Sequence, residues 1–202
     1  MVTLRAFQPE DLNALYAISL ATGHAGGDAA HLYEDPRMIG HIYSAPYAEL
    51  EPGLVLVAED ADGVAGFIAG VLDTAAWEAA LDVKWWPALR RRYADPGEPA
   101  TSWSADQRRA FMTHHPARTP HQIVANYPAH LHLNLLPHLQ GCGIGTALLE
   151  KWRDLTAQRG ARPIHVGVNS ANAKGLGFWR KRGFTDLPLD GPEGRTIWLG
   201  RA

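Results

Sequence analysis

The feature that most constrains this chain of 202 residues is a predicted strand that runs through three alternate glycines into a helix. Residues 130–136 alternate polar and apolar side chains, which predicts the strand, and glycines 141, 143 and 145 follow. A helix is predicted over residues 143–159, where apolar side chains recur on one face. Glycines let backbone N–H groups converge, and a helix N-terminus adds unpaired ones, so this turn is suited to a phosphate or pyrophosphate. A tight glycine turn that binds nothing is the alternative.

Two other phosphate-binding loops do not fit this turn. The Walker loop needs Lys and then Ser or Thr after its last glycine, whereas Thr146 directly follows Gly145. The dinucleotide-binding fingerprint needs the spacing G-x-G-x-x-G and an acid about 20 residues further on. The glycines here are spaced two apart, and residues 161–168 contain no acid.

The rest of the pattern predicts one mixed α/β domain over residues 1–202. Strands are expected at residues 2–7, 53–58, 64–72, 163–168, 184–187 and 195–199, and helices near residues 9–18, 35–43, 105–112 and 172–182. Residues 73–129 interrupt this order with four of the seven tryptophans and a run of three arginines. Residues 77–93 are expected to form one amphipathic helix there. Such a long aromatic-rich connection is expected to be ordered and functional.

Composition excludes several classes of protein. The formal net charge of −2 argues against binding nucleic acid or an anionic membrane by electrostatics alone. The single cysteine excludes a disulfide framework and a cysteine-rich zinc site. No apolar run approaches the roughly 18 residues of a membrane span, and residues 1–7 lack the apolar region of a secretion signal. A soluble, cytoplasmic protein is therefore expected.

Two motifs resemble those of the GCN5-related N-acetyltransferase (GNAT) family. Gln140, Gly143 and Gly145 fit the pattern Q/R-x-x-G-x-G/A, which cradles the pyrophosphate of acetyl-CoA in that family. The stretch from Asn172 to Phe184 is similar to the signature N-x-x-A-x-x-x-Y-x-x-x-G-F. Both occur in the family's order, and the resemblance covers nearly all of the chain except residues 73–129. Residues 127–134 resemble a subgroup of bacterial acetyltransferases related to the C-terminal acetyltransferase-like domain of eukaryotic O-GlcNAcase.

The resemblance implies the GNAT fold, a mixed and mostly antiparallel sheet with flanking helices and splayed central strands. It also implies an N-acetyltransferase that uses acetyl-CoA as cosubstrate, and no metal cofactor is expected. An amine acceptor, either a small molecule or a protein lysine, would attack acetyl-CoA directly in a ternary complex. The protein is expected to be a monomer or a homodimer. Two alternatives stay open, a non-catalytic acyl-CoA-binding pseudo-acetyltransferase and an interaction module that binds no CoA.

The resemblance further implies which residues bind acetyl-CoA. Backbone N–H groups of residues 140–146 would bind the pyrophosphate, and backbone at residues 133–135 would hold the pantetheine arm. The N–H near Leu135 would polarise the thioester carbonyl. Asn172 would reach the pantetheine arm, and capping its own helix is its alternative role. The implied cofactor-binding residues are Leu133, Asn134, Leu135, Gln140, Gly141, Cys142, Gly143, Ile144, Gly145, Thr146, Asn172 and Trp179.

The sequence departs from the family pattern at two positions. Trp179 replaces the tyrosine that often protonates the departing thiolate, and an indole N–H cannot serve as that acid. A thiol with a pKa near about 8.5 needs little help in leaving. Cys142 stands where the family often has Arg or Lys, so a cation for the 3′-phosphate is absent or comes from elsewhere, with Lys181 as a candidate. Cys142 itself is either a nucleophile or a turn-filling thiol, and direct transfer in the family favours the second.

His130, His132 and Asn134 alternate along the strand, so their side chains are expected on one face. If that face lines the cleft, His130 or His132 would be the general base, with the Leu135 N–H as the other catalytic group. Hydrogen-bonded core or surface histidines are the alternative. No carboxylate lies at a matching interval, so neither this pair nor His114 with His115 is predicted to bind metal. The 73–129 insertion is expected to cover the acceptor cleft, unless it is a peripheral helical pack or a dimer surface.

Overall fold

A computed structural model describes residues 1–98, 100–160, 162–189 and 194–202. The strands of this part form one seven-stranded sheet in the order β1-β2-β3-β4-β5-β7-β6. Their bounds are β1 Thr3–Ala6, β2 Val55–Asp60, β3 Gly63–Val71, β4 Ala129–Leu135, β5 Ile164–Asn169, β6 Thr185–Asp186 and β7 Thr196–Arg201. Neighbouring strands are antiparallel except for β4 and β5, which are parallel. The predicted fold class is therefore confirmed.

Helices flank both faces of the sheet. Their bounds are α1 Leu12–Ala21, α2 Met38–Tyr43, α3 Ala45–Leu50, α4 Thr74–Lys84, α5 Trp86–Arg92, α6 Ala105–His114, α7 His121–Val124, α8 Ile144–Ala157 and α9 Ala173–Lys181. The predicted long insertion lies between β3 and β4 and contains α4 to α7. Within the described ranges, no helix is long and apolar enough to cross a membrane.

Strand β4 contributes alternate side chains to the two faces of the sheet. Leu131 and Leu135 pack into a core with Trp152 of α8. The core on the other face includes Tyr47 of α3 and Trp77 of α4. Because successive strand residues point to opposite faces, the histidines of β4 lie on the side of α3 and α4. The insertion therefore stands over the histidine face of the strand.

The prediction of one helix over residues 77–93 is wrong, because the segment forms two helices, α4 and α5, which are separated at Trp85. Proline is tolerated only in the first turn of a helix, since it lacks an N–H group and clashes with the preceding turn. Pro87 accordingly stands in the first turn of α5. The break lets the Trp85 Nε1–H donate a hydrogen bond of 2.8 Å to the His41 carbonyl, and it buries Trp86 in the core.

Strands β4 and β5 separate soon after they begin, as predicted. They pair only at Ala129 with Ile164 and at His130 with His165, although both strands continue further. The Ala129 N–H points to β5, where it donates to the Pro163 carbonyl. Hydrogen-bonding direction alternates along a strand, so the N–H groups of residues 131, 133 and 135 also face β5. Beyond His130 they face an open gap instead of a partner strand.

Candidate active site

The glycine turn at the end of β4 presents a row of unused backbone donors. Gly141 and Gly143 have φ values of +77° and +82°, which side chains rarely permit, and Gly143 is the N-cap of α8. Among the described residues, no hydrogen-bond acceptor is found for the backbone N–H groups of residues 141–146. A Cβ atom at Gly141 or Gly143 would meet nothing within 4 Å. The turn therefore has the donors and the open space that an anion requires.

Gln140 and Cys142 occupy supporting positions in this turn. The Gln140 N–H already donates to the Pro137 carbonyl at 3.1 Å, so the free donors begin at Gly141. The Gln140 side chain donates to the Leu135 carbonyl at 2.9 Å and fixes the turn to the end of β4. Cys142 is exposed, and its thiol lies 3.5 Å from the Gln140 carbonyl oxygen. Its geometry fits the predicted turn-filling role.

A cavity of about 590 Å³ opens on the histidine face of β4, where β4 and β5 separate. Its wall brings together His130, His132 and Asn134, so the prediction that they share one face is confirmed. His165 and Asn169 of β5 line it from the neighbouring strand. The insertion contributes side chains that include Trp77, Glu78, Leu81, Trp86, Arg109 and Met112.

His130 is held by hydrogen bonds to both ring nitrogens. The Thr74 hydroxyl donates to the Pro128 carbonyl at 2.7 Å, so the His130 Nδ1–H donates to the Thr74 Oγ1, also at 2.7 Å. The His130 Nε2 then accepts a bond of 2.6 Å from the Tyr47 hydroxyl. Burial, together with His132 and His165, lowers the pKa of His130 well below its ordinary value. His130 is a neutral, fixed imidazole.

His132 has a different environment, because no hydrogen-bond partner for its ring is found in the described part of the chain. Its ring contacts those of Tyr43 and Tyr47, with centroids 5.7 and 5.4 Å away. Burial, with a smaller effect of His165, lowers the pKa of His132 to about 4. The imidazole is therefore neutral at physiological pH, and a nitrogen is available to accept a proton or a hydrogen bond.

Buried neutral histidines predict that acid destabilises the fold. Burial lowers the pKa values of both His41 and His132 to about 4, from about 6.5 when unfolded. Between these pH values the unfolded chain binds more protons, so the free energy of unfolding falls as the pH falls. Each histidine contributes up to about 1.4 kcal/mol per pH unit. Urea midpoints measured at pH 7.5, 6.5, 5.5 and 4.5 should decrease as the pH is lowered through this range. The decrease should be less steep in His132→Gln. Equal midpoints at pH 7.5 and 5.5 would contradict the expectation.

The remaining predicted residues lie at the edges of the site. The Asn172 side chain accepts from the Gly175 N–H at 2.9 Å, so it caps α9, and it also lines the cavity. Asn134 donates to the Thr22 hydroxyl at 2.7 Å and connects β4 to the residue that follows α1. Trp179 is 7 % exposed and packs against Phe184 in the core. Lys181 is exposed at the end of α9.

Several residues of the cavity were not predicted from the sequence. Tyr43 and Tyr47 come from α2 and α3, and Arg109 comes from the insertion. Thr74 of the insertion, which binds His130, was not predicted either. No motif or spacing connects them to β4, because only the packing of distant segments brings them to its histidines. In the described ranges, no group of three or more His, Cys, Asp or Glu side chains is arranged to hold a metal ion.

Comparison with known proteins gives two kinds of similarity. The sequence profile of the acetyltransferase (GNAT) family matches residues 28–184. The crystal structure of SsHAT is 35 % identical, with a TM-score of 0.90 and coverage of 99 % of this chain and 97 % of that one. The PaiA N-acetyltransferase from Thermoplasma acidophilum, in complex with coenzyme A, is 18 % identical, with a TM-score of 0.58 and coverage of 100 % and 98 %. An N-acetyltransferase from Staphylococcus aureus is 16 % identical, with a TM-score of 0.53 and the same coverage.

Proposed function

Because the chain belongs to the acetyltransferase (GNAT) family, we propose that it transfers the acetyl group of acetyl-CoA to an amine by direct attack in a ternary complex. The observation that carries the proposal is the row of unused N–H groups at residues 141–146, on a glycine turn at the end of a splayed strand. One domain over residues 1–202 contains both the donor and the acceptor sites.

The glycine turn is the proposed pyrophosphate site. Its free N–H groups belong to residues 141–146, and the α8 N-terminus adds a partial positive charge. Backbone donors suffice for an anion here, which explains why Cys142 needs no positive charge at this position. The open space above Gly141 and Gly143 gives the pyrophosphate direct access to the backbone.

The gap between β4 and β5 is the proposed site of the pantetheine arm. The backbone of Leu133 and Leu135 faces the gap, and the arm pairs with it as a neighbouring strand would. The Leu135 N–H then donates to the thioester carbonyl oxygen, where negative charge develops. Asn172 borders the same region, although its Oδ1 already caps α9.

His132 is the proposed base. The amine nitrogen attacks the thioester carbon, an N–C bond forms, and the C–S bond breaks. The nitrogen gives its proton to His132, which releases it to solvent, and the departing thiolate takes up a proton from solvent. The thiolate leaves readily because the pKa of its thiol is about 8.5. No tyrosine acid is required, so the buried Trp179 serves as a packing residue. Because the pKa of His132 is about 4, the amine binds as its free base.

The insertion forms the proposed wall of the acceptor cleft. Trp77, Trp86 and Arg109 line the cavity beside the β4 histidines. Such a wall limits the access of water and makes the entrance deep. The acceptor then enters from the insertion side, while acetyl-CoA occupies the side of the glycine turn.

The test is release of the CoA thiol from acetyl-CoA with a panel of amines, followed from pH 5.5 to 9. We expect turnover. Its kcat/KM should rise with pH as the amine itself loses its proton, and the pH profile should show no inflection near pH 6.5. Tight binding of acetyl-CoA without turnover across the panel would instead favour a non-catalytic acyl-CoA-binding protein. Calorimetry that detects no acetyl-CoA binding would exclude both and leave an interaction module.

A further inference from the structure

The cavity contains a positive group that the acetyl transfer step does not use, the Arg109 guanidinium of α6. Its Nε–H donates to the Tyr33 hydroxyl and its Nη1–H to the Tyr43 hydroxyl, both at 3.2 Å. The second Nη1–H points to the Met112 sulfur at 3.0 Å. The guanidinium carbon also lies 5.4 Å from the centre of the Tyr43 ring. All of these partners are neutral.

Arg109 has no counter-charge within the described part of the chain, where no carboxylate oxygen comes within 4.0 Å of it. Among the described residues that line the cavity, Glu78 is the acid, and it accepts from the Thr119 N–H and hydroxyl. A partly buried cation without an anion is costly to retain. The cost is offset if a ligand brings the negative charge.

The cluster also has hydrogen-bond donors to offer. The two Nη2–H groups of Arg109 have no acceptor among the described residues. Because the Tyr43 oxygen accepts from Arg109, its own proton is free to donate, and the same holds for Tyr33. A guanidinium edge beside a hydroxyl matches the two oxygens of a carboxylate.

We propose that the acceptor amine carries a carboxylate, which binds Arg109 and Tyr43. This inference rests on the proposed function of the same cavity. The Tyr43 ring contacts Arg109 at one side and the His132 ring at another, with ring centroids of Tyr43 and His132 5.7 Å apart. One tyrosine thus separates the carboxylate site from the base. This short spacing selects a small amino-acid-like molecule, not a lysine on a folded protein.

Calorimetry tests the inference without relying on turnover. Matched pairs, N-acetylglycine with N-acetylglycinamide and benzoate with benzamide, are titrated into the protein alone and into protein saturated with CoA. We expect each carboxylate to bind at least tenfold more tightly than its amide. Arg109→Gln should abolish this preference, and Arg109→Lys should keep part of it. Arg108→Gln is the matched control, because Arg108 is an exposed neighbour on α6 that donates to the Trp103 carbonyl.

The outcomes separate the two proposals. Equal binding of carboxylates and amides, or an unchanged preference in Arg109→Gln, would overturn the carboxylate site. Tighter binding of methylphosphonate than of the carboxylates would also overturn it, in favour of a phosphonate-type anion. If carboxylates bind as expected and no amine is acetylated, the proposed transferase activity and the acceptor role of the ligand fail, and Arg109 remains a carboxylate-binding residue. If amines are acetylated and their carboxylates make no difference, only the present inference fails.

Discussion

Gly143→Trp should weaken acetyl-CoA binding by about 100-fold or more, a loss of about 2.7 kcal/mol, while the chain remains folded. The backbone at Gly143 has a φ of +82° and no atom within 4 Å of the position of a Cβ. A tryptophan there strains the backbone by about 1–2 kcal/mol, and its indole occupies the space above the free N–H groups. Isothermal titration with acetyl-CoA measures the loss, and circular dichroism checks the fold.

Gly160→Trp is the matched control for this experiment. Gly160 follows the other end of α8, has a φ of +81° and also has nothing within 4 Å of its Cβ position. The substitution therefore causes similar strain without covering the turn. Loss of affinity in both variants would trace the effect to the stability of α8. Unchanged affinity in folded Gly143→Trp would remove the glycine turn from the acetyl-CoA site.

His132→Ala should lower kcat by about 100-fold or more, the range for loss of a general base. Its affinity for acetyl-CoA should stay the same, because the imidazole lies on the face of β4 that carries the cavity. Loss of hydrogen bonds should change the free energy of unfolding little, since no hydrogen-bond partner of the His132 ring is found in the described ranges. Steady-state kinetics, titration calorimetry and urea unfolding measure the three quantities.

Two further variants test the assignment of the base to His132. His138→Ala removes an exposed histidine that contacts Asp60 outside the cavity, so its kcat should equal that of the native chain. His130→Ala leaves the buried Tyr47 hydroxyl without its acceptor, which should lower the free energy of unfolding by about 1–3 kcal/mol. Full turnover in His132→Ala would place the base elsewhere, and an unchanged unfolding midpoint in His130→Ala would contradict a stabilising hydrogen bond between His130 and Tyr47.

Local patterns predicted most of the fold. The alternation of residues 130–136 and the apolar face of residues 143–159 correspond to β4 and α8, each within about two residues of its observed bounds. These signals are strong because each element buries one side of its own sequence. The segment at residues 77–93 was less predictable, since Pro87 is compatible with either a kinked helix or a new first turn. Burial of Trp86 decides for the new turn.

The division between sequence and tertiary structure is clearest at the two sides of the site. The glycine turn could be recognised from the sequence alone, because its donors are backbone groups of consecutive residues and its conformation depends on local glycines. The distinction between His130 and His132 could not be recognised from the sequence, because the residues that make it are distant along the chain. Tyr47 and Thr74 bind one histidine and leave the other facing the cavity. Only the packing of α3 and the insertion against β4 determines which imidazole is fixed and which is free to react.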